Sequence, residues 1–255
     1  MKREELKEIL KEADMVLVGI GEEFSRVDEL RQDKSYEKIC GMTAQAGMHW
    51  TVPCLNRSYL KNDKKLLEAY QKLGTLLKNK NYFVITTCMD GLIEKAGLRE
   101  DRITTPCGSY DRLQCSEGCA GSVVSAEHTF LEELEETLTG KKAWDTMVIP
   151  KCKCGAPMEC NTLYAEHYLE EGYAESWHTY MKWLQGTLNR RLCILELGAD
   201  MMFAGVLRFR FEKMVSLNQQ AKLLRIHSHL CQLPEEISGR GMSILQNAVD
   251  FMAEI

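Results

Sequence analysis

No apolar run in this sequence approaches the roughly 18 residues that a helical membrane span needs, so no membrane partner is expected. A basic excess is missing too. Lys and Arg number 32 against 37 Asp and Glu, giving a net charge of −5. Nucleic-acid binding calls for a basic patch, so no nucleic-acid partner is expected. Prolines number only five and are scattered, with no proline-rich linker, low-complexity tract or internal repeat. That excludes solenoids and tandem arrays. The six histidines show no metal-ligand spacing such as two on one helix face. The amino terminus, Met1-Lys2-Arg3-Glu4-Glu5, leads into a charged helix rather than a secretory leader, which points to a cytoplasmic protein.

Cysteine is what the chain has in excess. Eleven cysteines, an odd number, argue against a fully paired disulfide scaffold and leave metal binding or buried thiols. At 255 residues the chain can bury a full core, as one large domain or a large one with a smaller insert.

Apolar periodicity predicts helices over residues 3–13, 58–78, 130–138, 173–188, about 204–218 and about 241–254. An apolar, β-branched run closing in glycines predicts a buried strand at 15–21, and further strands are expected at 82–87, 192–197 and 223–227. Strands and helices alternate at both ends of the chain. The predicted class is therefore α/β, a mostly parallel sheet covered on both faces. The cysteine-rich stretch over 107–160 breaks the alternation and reads as an insert.

Two cysteine pairs stand out, Cys115-Ser-Glu-Gly-Cys119 and Cys152-Lys-Cys154. Four thiolates in two close pairs suit tetrahedral zinc, and a closed site of that kind is structural rather than catalytic. Four unmetallated thiols are the alternative. Cys160 is a spare candidate ligand that would replace Cys152 or Cys154. Cys40, Cys54, Cys193 and Cys231 sit in apolar surroundings and need no special role.

The richest stretch is Tyr82-Phe-Val-Ile-Thr-Thr87-Cys88-Met-Asp90-Gly91, followed by Glu94-Lys-Ala-Gly97 and Pro106-Cys107-Gly-Ser109. A buried strand that ends in polar residues and a glycine places a ligand site at its carboxyl edge. The segment resembles the central motif of the sirtuins, the NAD-dependent protein deacylases. Leu113-Gln114-Cys115 and Leu195-Glu-Leu-Gly198 look most like the short bacterial members associated with macrodomains. The resemblance runs in order through nearly the whole chain. It implies a Rossmann-like domain from residues 1–25, 79–112 and 170–255. It also implies a small domain made of a helical insert, 26–78, and a zinc ribbon, 113–169.

Carried over position by position, the resemblance implies cofactor contacts at Gly19, Gly21, Ser25, Thr87, Gly198 and His227. Cys107 stands where the family has its catalytic histidine, Cys88 where it has asparagine, and Asp90 is retained. Glu22 and Glu23 follow the first glycine pair, and Asp200 lies in the second phosphate contact. These acids either repel a pyrophosphate or act as ordinary helix-dipole partners. A thiol is a feeble general base at neutrality. The implied function is an NAD-dependent deacylase or ADP-ribosyltransferase of weak or lost activity, acting on a protein. The alternative is a non-catalytic, zinc-stabilised module that binds a protein or an altered nucleotide. A redox pair at Cys88 and Cys107 is a third reading, set against two small buried residues with no special role.

Overall fold

The computed structural model describes residues 2–255. Strand β1 (Met15–Ile20) is six apolar residues long and buried throughout. The later strands are β2 (Tyr82–Thr86), β3 (Ile103–Thr104), β4 (Gly108–Cys115), β5 (Val124–Ser125), β6 (Met158–Thr162), β7 (Leu192–Leu197), β8 (Lys222–His227) and β9 (Gly241–Leu245). Six of them form one parallel sheet in the order β3-β2-β1-β7-β8-β9. Numbered within that sheet alone the order is 3-2-1-4-5-6, the doubly wound arrangement. It reverses between β1 and β7, and there the carboxyl ends of neighbouring strands part to leave a crevice.

Side chains of β1 alternate between the two faces, as strand geometry requires. Val16, Val18 and Ile20 enter one core with Val84, Leu195, Leu197 and Ile226. Leu17 enters the other with Phe83, Ile85, Ile194 and Leu223. Helices α1 (Lys2–Glu12), α5 (Lys64–Leu77) and α10 (Ala248–Ala253) cover the first face. Helices α7 (Glu171–Gln185), α8 (Arg208–Leu217) and α9 (Glu235–Ser238) cover the second. The remaining helices are α2 (Val27–Leu30), α3 (Lys34–Gln45), α4 (Val52–Leu60) and α6 (His128–Leu138). Strands β5-β4-β6 make a separate antiparallel sheet.

Beneath the cleft side of the large sheet lies a buried ion network. Glu196 on β7 and Arg225 on β8 are register partners. Arg225 donates to both Glu196 oxygens at 2.7 and 3.0 Å and to Glu212 at 2.8 Å. Arg208 reaches Glu196 and donates to the carbonyls of Ala199 and Leu230, which ties the loops after β7 and β8 together.

Three sequence expectations need correction. The helix expected over 241–254 is a strand, Gly241–Leu245, followed by α10. Met242 and Ile244 are buried two residues apart, and β8 offers an open edge that β9 completes. Asn247 then caps α10 by accepting from the Val249 and Asp250 N–H groups. The helix expected over 58–78 is two helices, because Asp63 caps a new start by accepting from the Leu66 N–H. The helix expected near 204–218 starts at Arg208, after a turn. Among the described residues no helix is long and apolar enough to cross a membrane.

Candidate functional site

A cavity of about 390 Å³ opens at the carboxyl ends of β1, β2 and β8. Its wall includes Glu22, Glu23 and Ser25 after β1, Thr87 and Cys88 after β2, Asp200 after β7, and His227 at the end of β8. Residues of the helical segment, Arg26, Arg31 and Asn56, and Tyr164 beyond β6 complete it. Ser25, Thr87, Cys88 and His227 are thus brought together as the sequence suggested.

Glu22 sits where three strand ends meet. One carboxylate oxygen accepts from the Thr87 hydroxyl at 2.8 Å, the other from the Asp200 N–H at 2.8 Å. Burial, helped by the Asp200 charge, outweighs those bonds and pushes its pKa up to about 7. Glu23 accepts from the Ser228 N–H at 2.8 Å and the Ala248 N–H at 2.7 Å. Its carboxylate therefore occupies the N-terminus of α10. Both acids hold backbone donors contributed by distant segments, so they are neither idle nor merely partners of their own short helix.

His227 has its Nδ1 occupied by the N–H groups of His229 and Leu230, each at 3.0 Å. Burial pulls its pKa down, so the ring is neutral and Nε2 carries the proton. That Nε2 is buried without a partner. Asp90 is buried behind the cavity wall. Its Oδ1 accepts from the Leu92 N–H at 2.9 Å, Oδ2 has no partner, and burial pushes its pKa up to about 6. Arg57 on α4 donates to the Asp90 carbonyl at 3.0 Å and to Glu94 at 2.6 Å, with its guanidinium over the Tyr110 ring.

The glycines serve packing. A Cβ on Gly19 would lie 2.3 Å from the Phe211 ring, so this residue lets α8 approach the sheet on the face opposite α5. A Cβ on Gly21 would lie 2.3 Å from the Ala199 Cα, where the loops after β1 and β7 touch. Gly198, at φ +62, leaves room for the Glu23 side chain. None of the three lines the cavity.

Cys88 and Cys107 are both buried. Cys88 donates its S–H to the Gly21 carbonyl at 3.3 Å. Cys107 has no exposed surface and lies behind the wall, and burial with the nearby Glu22 charge pushes its thiol up to about 12.

In the small sheet the sulfurs of Cys115, Cys119, Cys152 and Cys154 all lie within 4.8 Å of one another. Tetrahedral zinc with bonds of about 2.3 Å would place sulfurs about 3.8 Å apart, so the group could hold such an ion. Each pair sits on a tight turn with a glycine at positive φ, Gly118 at +66 and Gly155 at +93. Cys160 is not part of the group. Its sulfur points instead toward Cys54, 3.7 Å away.

No protein-family model matches the chain. A solved Sir2 protein bound to a propionylated peptide superposes with a TM-score of 0.56 at 14% identity, covering 100% of this chain and 97% of that one. A Sir2 homologue in complex with ADP-ribose superposes with a TM-score of 0.60 at 16% identity, covering 98% and 94%. The chain has the sirtuin fold. Two curated relatives are similar in sequence. One, from Staphylococcus aureus, is named a protein ADP-ribosyltransferase and is 22% identical over 96% of this chain and 84% of its own length. The other, from Fusarium oxysporum, is named a probable bifunctional ADP-ribose hydrolase/ADP-ribosyltransferase. It is 30% identical over 166 residues, 62% of this chain and 28% of its own length.

The sequence missed the reach of Glu22 and Glu23. Their spacing signalled a helix start, and nothing local pointed to Asp200, Ser228 or Ala248 as donors. Asn56 and Tyr164 were also missed, since each belongs to a segment whose place in the fold only long-range packing decides.

Proposed function

We propose that this chain is a sirtuin-fold protein ADP-ribosyltransferase that uses NAD as its donor substrate. The observation that carries the proposal is the cavity at the sheet's reversal point, walled by Thr87, Cys88, Glu22 and His227. Both curated relatives bear transferase names, which favours transfer over deacylation. Toward NAD the residues divide. On the sugar side, His227 lines the cavity with an unpartnered Nε2–H that suits a ribose hydroxyl, while Asp90 stays behind the wall. Toward the pyrophosphate the wall is acidic, and its backbone donors are already held by Glu22 and Glu23. A slow, weakly binding enzyme is the expected result.

In this reading the protein positions more than it activates. Ser25 and Thr87 offer hydroxyls to the donor, and Gly19, Gly21 and Gly198 let the loops close around it. Cys88 keeps water from the floor. Cys107, held as a neutral thiol, fills the place of the family's base without its proton affinity. Cys115, Cys119, Cys152 and Cys154 hold a structural zinc that stiffens the ribbon and takes no part in the chemistry. The expected division, a large unit of 1–25, 79–112 and 170–255 and a small unit of 26–78 with 113–169, shifts at α5, which packs on the large sheet.

A second reading has its own support. The occupied donors and the inert Cys107 favour a module that binds a protein, or a nucleotide without a pyrophosphate, and performs no transfer. Calorimetric titration with NAD and with ADP-ribose separates the two. Binding tighter than about 100 μM, followed by labelled ADP-ribose appearing on a protein acceptor, supports the enzyme. Absence of heat with both ligands supports the module.

A further inference from the structure

The inference concerns which group accepts a proton, and it rests on the transfer reading above. When ADP-ribose passes to a protonated protein nucleophile, a bond forms between that nucleophile and the anomeric carbon. The glycosidic bond to nicotinamide breaks, and nicotinamide leaves with its electron pair. The proton of the nucleophile must go to a base. No oxidant or reductant is involved.

The position that resembles the family's base cannot take that proton. Cys107 has no exposed surface and is not part of the cavity wall. Asp90 also lies behind the wall. His227 lines the cavity, but its Nδ1 lone pair is taken by two backbone N–H groups and its Nε2 already bears hydrogen. Glu23 also lines the cavity with one N–H donor on each oxygen, at the start of α10 and after β8, but its charge is not among those acting on Cys88 and Cys107. Glu22 differs from all of these. It lines the cavity, and its charge is felt at both Cys88 and Cys107, the two family catalytic positions. The Thr87 hydroxyl and the Asp200 N–H each take one lone pair on separate oxygens, which orients the carboxylate and leaves acceptor capacity on each.

We propose that Glu22 is the catalytic base of this site, removing the proton from the attacking nucleophile in place of the family's histidine. The groups facing it are Asp200 from the loop after β7, Thr87 and Cys88 after β2, and Cys107 before β4. None is cationic, so the carboxyl retains affinity for a proton near neutrality, as a base working at neutral pH needs. Chain order hides the assignment, because a residue of the first glycine loop reaches across to the end of the second strand.

The test is Glu22→Gln and Glu22→Asp in the full chain, with melting temperature confirming the fold of each. Four readouts are compared with wild type: NAD affinity by calorimetry, single-turnover transfer of labelled ADP-ribose, its pH profile, and the carboxyl stretch in infrared pH titration. The expected Glu22→Gln result is transfer slowed by about 10²–10³-fold with NAD affinity retained. The acid limb near neutral pH disappears, and so does the infrared band that titrates there in ligand-free protein. Glu22→Asp restores part of the rate. Transfer by Glu22→Gln within about threefold of wild type, with the acid limb intact, overturns the proposal. Faster transfer by Glu22→Gln also overturns it, and marks Glu22 as an obstacle to the pyrophosphate. Wild type that binds no NAD sinks the transfer reading and this inference with it. Wild type that binds and transfers, beside an unaffected Glu22→Gln, sinks this inference alone.

Discussion

In the ribbon, four cysteine sulfurs from two distant turns lie within 4.8 Å of one another, partly reachable by solvent. In the cleft, Cys88 and Cys107 are buried and each is satisfied or enclosed by its own neighbours. The same side chain is thus a converging donor in one region and a small apolar filler in the other. What separates the two is backbone geometry. Glycine turns bring the ribbon pairs to a point, whereas strand ends place the cleft thiols beneath a layer of carboxylates. The groups that face the cavity are accordingly the carboxylates of Glu22 and Glu23 rather than thiols set deep in the wall.

The largest effect that would sharpen this contrast is in the ribbon. Cys119→Ser, or a strong chelator, should remove the metal and unfold the small sheet, since structural zinc contributes ~10 kcal/mol or more. Metal analysis by mass spectrometry and a melting curve check it. Cys107→Ala, run in parallel, should keep its metal. Retention of zinc by Cys119→Ser would break the comparison on the ribbon side.

Next in size is Glu23→Ala. It strands the N–H groups of Ser228 and Ala248 and should cost about 1–3 kcal/mol in urea unfolding. A silent Glu23→Ala would mean that water replaces the carboxylate without loss.

Glu22 should give stability a pH dependence of opposite sign to that of an ion-paired acid. Its pKa rises from the ordinary 4.5 to about 7 on folding. Below 4.5 both states hold the proton. Between 4.5 and about 7 the folded state keeps a proton that the unfolded state releases, so stability falls as pH rises through that window. Partial solvent access limits the loss to ~1–2 kcal/mol. Glu22→Gln should flatten the curve and be the more stable protein at pH about 8, as read from melting temperature against pH. The smallest effect is that of Cys107→Ala on stability, ~1 kcal/mol for one buried sulfur. In the native protein Cys107 should resist alkylation, and the exposed Cys154 should become reactive only once a chelator takes its metal, by peptide mass mapping.

The sheet was largely legible. The runs 15–20 and 82–86 are almost wholly apolar, and 192–197 and 223–227 are broken only by Glu196 and by Arg225 and His227, a pattern that suits a covered parallel strand. β9 was not, because Met242, Leu245, Val249 and Met252 recur at helical spacing. Only the open edge of β8 decides between the two. The thiol group was legible from pair spacing, and the structure removed Cys160 from it. The cleft was legible as a place but not as a set of contacts. Gly19 looked like a phosphate residue and is a seat for Phe211. Glu22 and Glu23 looked like a helix start and turned out to bind backbone one to three strands away.

Arg57 grips two stretches of chain at three points: the Asp90 carbonyl and the Glu94 carboxylate after β2, and the face of Tyr110 on β4. It projects from α4, outside the large sheet, so the helical segment and the floor beneath the cleft are linked as levers on one pivot. Displacing α4 would disturb Asp90 and, through Pro53 and Asn56, the cavity wall together.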